Sequence, residues 1–321
     1  MARASTLSPE RAARLRPLLL GLEASLDRAA RIGADPLEFP RRYPDPADAE
    51  VAGLLAACLA YGRADLFRPQ ISYLLAEMGA HPAAFAGRFA RAPAADRFPA
   101  FRYRFNQPPD AAALVAAAGW LRAAHGSLGA RFGALHRAAL AAGAASPLRE
   151  ALARFAAELR AAPPVAPLLA GRGGRGLLHL LPDARNAGAC KRLNLYLRWM
   201  VRGPDGVDLG LWRAEVPATA LVVPLDTHLA RMARRLGLTA RRDLSWRTAE
   251  EVTRALRRID PQDPVRHDFA LCHLGMSGAC PANRGPEHCA ACALRSACRE
   301  RARPGSARAR SGSRAPRRGA R

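Results

Sequence analysis

Leu181-Pro182-Asp183-Ala184-Arg185-Asn186-Ala187-Gly188-Ala189-Cys190-Lys191 runs straight into Arg192-Leu193-Asn194-Leu195-Tyr196-Leu197-Arg198-Trp199-Met200-Val201-Arg202. The first segment is a polar turn behind the apolar run Leu177 to Leu181, and the second carries Leu193, Leu195, Leu197 and Met200, so the stretch predicts helix, turn, helix. Lys191 falls on the first turn of the second helix. It is the only lysine among 50 basic residues, the rest being arginine. Arginine stays protonated, whereas a desolvated lysine amine can lose its proton and attack an electrophilic carbon, which makes Lys191 a candidate nucleophile. The plainer alternative is a surface charge. Backbone amides at such a turn can hold a phosphate, which would set a DNA sugar beside the amine. Arg185, Asn186, Gly188 and Arg192 in the turn, and Arg198 and Arg202 beyond it, are the candidate DNA contacts. Trp199 can stack a base or fill a core.

Downstream, Leu221-Val222-Val223-Pro224-Leu225-Asp226-Thr227-His228 is followed by Leu229, Met232, Ala233 and Leu236 at helical spacing, with Gly237 as a stop. Asp226 stands where this helix starts, either as a cap accepting backbone N–H groups or as a carboxylate aimed at whatever Lys191 attacks. The two roles are compatible, since a capping aspartate is held rigidly. His228 on the same turn joins the candidate DNA contacts. Further on, Cys280, Cys289, Cys292 and Cys298 form C-x8-C-x2-C-x5-C after a helix containing Asp268, Phe269, Leu271, Leu274 and Met276. In a reducing compartment such close thiols are ligands, of zinc or of a [4Fe-4S] cluster, and spacing does not choose between them. Cys58, Cys190 and Cys272 read as small core residues.

Upstream, the pattern is helical throughout. Residues 8–33 read as one helix with Leu15, Leu18, Leu19, Leu22 and Leu26 on one face; helices follow at 47–61, 66–79 and from Pro82, then at 110–125, 127–142 and 147–161. Asp35-Pro36 and Tyr43-Pro44-Asp45-Pro46 are breaks. Phe101-Arg102-Tyr103-Arg104-Phe105 alternates aromatic and basic residues; a core edge is the first reading, base stacking the second. Gly171-Arg172-Gly173-Gly174-Arg175-Gly176 follows no strand, so it reads as a mobile basic loop rather than a dinucleotide fingerprint. With no series of strands, the fold class is all-α.

The chain of 321 residues is long enough for a large core, and its formal net charge is +23. Residues 299–321 alone hold nine arginines and one glutamate, a composition that buries no core and reads as a disordered, salt-sensitive phosphate tether. The charge on the body argues for a polyanionic partner, nucleic acid first. No apolar run reaches transmembrane length and no signal peptide is recognisable, which predicts a cytoplasmic, nucleoid-associated monomer with no membrane partner.

Lysine after a helical turn, Pro224-Leu225-Asp226-Thr227-His228 at a helix start and a C-terminal four-cysteine loop occur here in a fixed order. Together they resemble the helix-hairpin-helix DNA glycosylases of the endonuclease III kind. The resemblance covers residues 180–298. It implies Lys191 as a Schiff-base nucleophile, Asp226 as the carboxylate assisting glycosidic-bond cleavage, and a [4Fe-4S] cluster on Cys280, Cys289, Cys292 and Cys298. In wording, Ala189-Cys190-Lys191-Arg192-Leu193-Asn194, Arg198-Trp199-Met200-Val201-Arg202 and Asp263-Pro264-Val265-Arg266-His267-Asp268-Phe269-Ala270-Leu271 are similar to a bacterial family described as domain of unknown function 2400. The turn departs from the Leu-Pro-Gly-x-Gly-x-Lys of endonuclease III proteins, so the hairpin is expected to be longer or differently shaped. The extra segment Arg202 to Thr219 resembles archaeal oxoguanine glycosylases more.

The architecture so implied is two helical domains around a cleft: 47–222 with the hairpin-like motif, and 1–46 with 223–298 and the cysteine loop, followed by the tail at 299–321. The function implied is excision of a damaged base flipped from duplex DNA, with or without abasic-site lyase activity. The rivals are a non-catalytic DNA-binding protein on the same scaffold and a zinc-bound interaction protein.

Overall fold

The computed structural model describes residues 7–171, 174–186 and 188–300. The expected tail from residue 301 on, Arg172 and Gly173 of the glycine-rich loop, and Ala187 of the turn lie outside the described residues.

Capping chemistry sets most helix starts. In α1 (Pro9–Ala24) the Ser8 hydroxyl accepts from Arg11 N, with proline at the first helical position, where its missing N–H costs nothing. The single helix expected over 8–33 is in fact two. Ser25 donates its hydroxyl to Leu22 O and Asp27 accepts from Ala30 N, ending one helix and opening α2 (Arg28–Ala34). Local side-chain bonds of this kind compete with helix continuation. After α3 (Glu38–Arg41), Asp45 caps α4 (Pro46–Leu59), which is buried on nearly every side.

There follow α5 (Ala64–Met78), α6 (Pro82–Phe89), α7 (Pro108–His125), α8 (Leu128–Ala141), α9 (Pro147–Arg160) and α10 (Val165–Leu168). The hairpin-like motif is α11 (Arg175–Leu180) and α12 (Lys191–Val201). The C-terminal part holds α13 (Thr227–Leu236), α14 (Trp246–Arg257), α15 (Asp268–Met276) and α16 (Pro286–Ala290). Of these, α14 has no counterpart in the expectations above, although Ser245 caps it by accepting from Thr248 N. The described residues are all-α, with no strand and only two isolated bridges, Tyr103 with Asn106 and Gly188 with Ser245.

The buried apolar side chains form one continuous cluster from Leu7 to Ala297. In it α4 packs on α12, α3 and α6, α7 on α6, α8 and α9, and α13 on α15. Helix α1 lies with the C-terminal helices: it packs on α15, Arg11 donates to Leu236 O at 2.9 Å and Ala297 O at 2.7 Å, and Glu23 pairs with Arg266 at 3.0 Å and with His267.

The alternating segment at 101–105 divides by position. Phe101 and Tyr103 are in the core, as the first reading has it, but Phe105 is 54% exposed. No helix of the described residues is long and apolar enough to cross a membrane.

Candidate functional site

The N-termini of α12 and α13 bring Lys191 and Asp226 together. Lys191 Nζ lies 3.8 Å from Asp226 Oδ2, both side chains being partly exposed. The carboxylate divides its work between its oxygens. Oδ1 accepts from Leu229 N at 2.8 Å and so caps α13, while Oδ2 faces Lys191 and the Cys272 thiol at 3.6 Å. The cap fixes the carboxylate's direction and leaves one oxygen for chemistry. At the other end of α13, Gly237 adopts φ +71, and a side chain there would also strike Arg299.

A second carboxylate stands at the same place. Asp35 Oδ1 accepts from Leu37 N at 2.9 Å and Oδ2 lies 3.8 Å from His273 Nε2. Burial pushes its carboxyl up, opposed by the Leu37 N–H and by the charges of Lys191, Arg198 and Arg68. Burial, with Arg31 and Arg198 adding to it, lowers His273 to about 4, and burial beside Asp226 holds the Cys272 thiol well above its ordinary range. Sequence reasoning missed Asp35 because an Asp-Pro pair reads as a turn, and missed Cys272 because it reads as core.

Three expected DNA contacts are instead structural. Trp199 is 0% exposed, Arg198 2% and Arg202 7%. Arg198 lies 3.0 Å from Asp208 and 2.9 Å from Asp268, close but off the hydrogen-bonding direction, so these contacts are chiefly Coulombic. Arg202 contacts Asp208 at 2.7 Å, Asp205 at 2.6 Å and Asp263 at 2.7 Å. The arginines face buried carboxylates rather than solvent, because an uncompensated buried carboxylate is very costly. Burial still raises Asp268 to about 7 against the pull of Arg198.

The turn itself is longer than the Gly-x-Gly form and is tied down through its carbonyls. Arg149 donates to Ala184 O at 2.8 Å, Arg185 O at 3.0 Å and Asn186 O at 3.2 Å. The amides of Arg185 and Asn186 go to Asp183, at 2.9 Å to its carboxylate and 3.1 Å to its carbonyl, so those two are not offered to a phosphate. Arg185, Asn186 and Gly188 are exposed, although Arg185 is also paired with Asp183 at 2.8 Å. Arg192 donates to Cys58 O at 2.5 Å and to His179 O, with its guanidinium 5.0 Å over the Tyr61 ring. His228 Nδ1 lies 3.1 Å from Gly275 O, which also accepts from Arg231 at 2.6 Å.

In the cysteine loop, Cys280 and Cys289 are buried and Cys292 and Cys298 partly so. Burial raises the Cys292 thiol, the Leu294 amide opposes this with a hydrogen bond, and the charges of Cys280, Cys298 and Cys289 raise it further. Among the described residues no three His, Cys, Asp or Glu side chains are gathered into a closed metal-binding group. Arg235 of α13, itself buried, donates to Cys280 Sγ at 2.7 Å and to Pro281 O at 2.8 Å, which ties the loop to that helix.

No curated protein and no solved structure matches the chain. A family described as Protein of unknown function (DUF2400) matches residues 35–277, a span that takes in Asp35, Lys191, Asp226 and Cys272 and stops before the four-cysteine loop. With about three quarters of its length inside that match, the chain belongs to the DUF2400 family.

Proposed function

We propose that the protein is a DNA-repair glycosylase, with or without lyase activity, in which Lys191 is the nucleophile and Asp226 the catalytic carboxylate. The observation that carries this reading is the 3.8 Å approach of the lone lysine's amine to a helix-capping carboxylate from another helix. C1′ of a stacked nucleotide is inaccessible, so the base must first be turned out of the duplex. The Lys191 amine, its proton given up to solvent, then attacks C1′; the N-glycosidic bond breaks, and the base leaves with the bonding electrons and takes up a proton from the new C1′ ammonium. Asp226 Oδ2 stabilises the positive charge that develops on the sugar, and ring opening gives a Schiff base between Lys191 and C1′. Arg185, Asn186, Gly188, Arg192 and His228 are the remaining candidates for holding the DNA. The division into 47–222 and 1–46 with 223–298 around a cleft belongs to this proposal.

The test bypasses base recognition. Borohydride is added to the protein with a duplex bearing one abasic site, and hydride reduction of the Schiff base should give a stable covalent adduct on a denaturing gel. Absence of adduct, with DNA binding intact, would favour the non-catalytic DNA-binding reading.

The cysteine loop carries a [4Fe-4S] cluster in this proposal, with zinc as the alternative for the same four thiolates. When bound, the cluster supplies structure, tying Cys280, Cys289, Cys292 and Cys298 to the end of α13. Anaerobically purified protein should be brown, with iron and sulfide in matched amounts, and Cys289→Ser should lower the unfolding temperature before it alters chemistry. Colourless protein with one zinc and no iron would overturn the cluster.

A further inference from the structure

A cavity of about 910 Å³ among the described residues is lined by neither Lys191 nor Asp226. That volume is within the range of small-molecule pockets. It opens between the N-terminus of α7, helix α11 and the start of α12, with Phe105, Asp110, Arg175, His179 and Arg192 in its wall.

Three features distinguish it from an ordinary surface hollow. First, its aromatic wall is an assembled cluster: His179 lies edge-on to Phe105 at 4.8 Å and to Tyr61 at 4.7 Å between ring centroids. The half-exposed Phe105 leaves much of its surface without a protein neighbour. Second, Phe105 is thrust out by the tight turn closed by Tyr103 and Asn106, in which Arg104 takes φ +54. A left-handed arginine is unfavourable and persists only where its surroundings impose it, a pattern concentrated at binding sites. Third, the lining arginines Arg175 and Arg192 have no carboxylate within ion-pair distance among the described residues, in a protein where most carboxylates are paired. Arg192 is anchored by carbonyl oxygens instead, so its charge is held in place and uncompensated. The floor is equally specific. Asp110 accepts from Gln107 N at 2.8 Å, and helix α11 passes so close that a side chain at Gly176 would strike the carboxylate.

An aromatic face, unpaired arginines at the rim and one buried acceptor at the floor fit a planar heterocycle carrying a phosphate. We infer that this pocket binds an unpaired nucleobase, stacked on Phe105 with its edge toward His179, and with its phosphate on Arg175 and Arg192. Burial and the charges of Arg192 and Arg104 lower His179 to about 4, so its ring is neutral at ordinary pH and stands beside those arginines without repelling them. The same chemistry is offered by a nucleotide of a DNA strand and by a free mononucleotide. As a seat for a strand nucleotide the pocket rests on the DNA reading above; as a nucleotide site it does not.

The probe is 2-aminopurine, whose fluorescence is quenched by stacking, placed in a short single-stranded oligonucleotide and, separately, as the free monophosphate. Measured with the full chain carrying Lys191→Arg, so that no covalent chemistry intervenes, the intact pocket should quench it. Phe105→Ala should weaken binding about tenfold and Phe105→Tyr should restore it. Because Phe105 is half-exposed, its removal leaves the core intact. Quenching by the oligonucleotide alone identifies the strand as the source, and equal quenching by the monophosphate identifies the free nucleotide. Affinities unchanged by Phe105→Ala and by Arg175→Ala, or no quenching with either probe, would overturn the pocket. Either result is independent of adduct formation on abasic DNA, so the pocket and the Lys191 reaction stand or fall separately.

Discussion

Lys191→Arg should abolish the borohydride adduct on abasic DNA, reducing it to the level seen without protein, while binding to the same duplex should stay within about twofold. The substitution keeps the positive charge 3.8 Å from Asp226 and therefore keeps any purely electrostatic role. What it removes is an amine able to lose a proton and form a carbon–nitrogen bond. Loss of a nucleophile is expressed in orders of magnitude, not in the modest factors of a lost surface contact. The contrasting change is Asp226→Asn, which retains a good N-cap and should leave circular dichroism and melting nearly unchanged while slowing base removal. Gel quantification of adduct, set beside binding by fluorescence anisotropy, checks both. Adduct formation by the arginine protein at the native rate would remove Lys191 from the mechanism.

The second large effect is on folding. Arg198→Met leaves Asp208 and Asp268 buried without the guanidinium that lies 3.0 and 2.9 Å from them. Breaking a buried ion pair from one side costs about 3–5 kcal/mol, much of the stability of an ordinary domain. The loss should also depend on pH. With Arg198 present, Asp268 is already raised to about 7, against about 3.9 for an unfolded aspartate. A carboxyl raised in the folded state contributes stability that is complete below the unfolded value and is lost as pH rises through the folded one. Removing the arginine pushes that folded value higher still. The penalty, measured as the shift in urea midpoint against the parent protein, should therefore be larger at pH 8 than at pH 5. An equal and small shift at both pH values would mean that the network contributes little.

The same arginine shows why the sequence was legible in some places and opaque in others. The Asp226 cap and the Gly237 stop could be read directly, because capping is settled by residues three or four positions apart, whereas the start of α12 was legible from apolar spacing, since Cys190 before it makes no side-chain cap. The all-α class followed from periodicity in the same way. Arg198 and Arg202, by contrast, sit four apart on a helix, and that spacing is the same whether the helix faces a phosphate or a buried carboxylate. Their partners Asp263 and Asp268 come from α15 and the loop before it, so only the folded chain reveals them. Asp35 was hidden for the same reason: its turn role is local and visible, its approach to Lys191 and His273 is tertiary and is not. In Phe101 to Phe105 the aromatic residues were conspicuous, but the conformation of Arg104 that turns Phe105 outward is not written in residue type.

Helix α13 carries Asp226 at one end and Arg235, the anchor of the cysteine loop, near the other. Ten residues of α-helix span about 15 Å, and a helix that short holds its shape in water only through what it packs against. The loop is thus a clamp on a splint whose far tip bears the carboxylate. If the clamp opens, fraying begins at Leu236 and travels toward Leu229, and the carboxylate loses its heading once the Leu229 amide lets go of it. In the enzyme proposed here, oxidative damage at the cysteines would then disturb Asp226 from a distance, leaving Lys191 chemically intact.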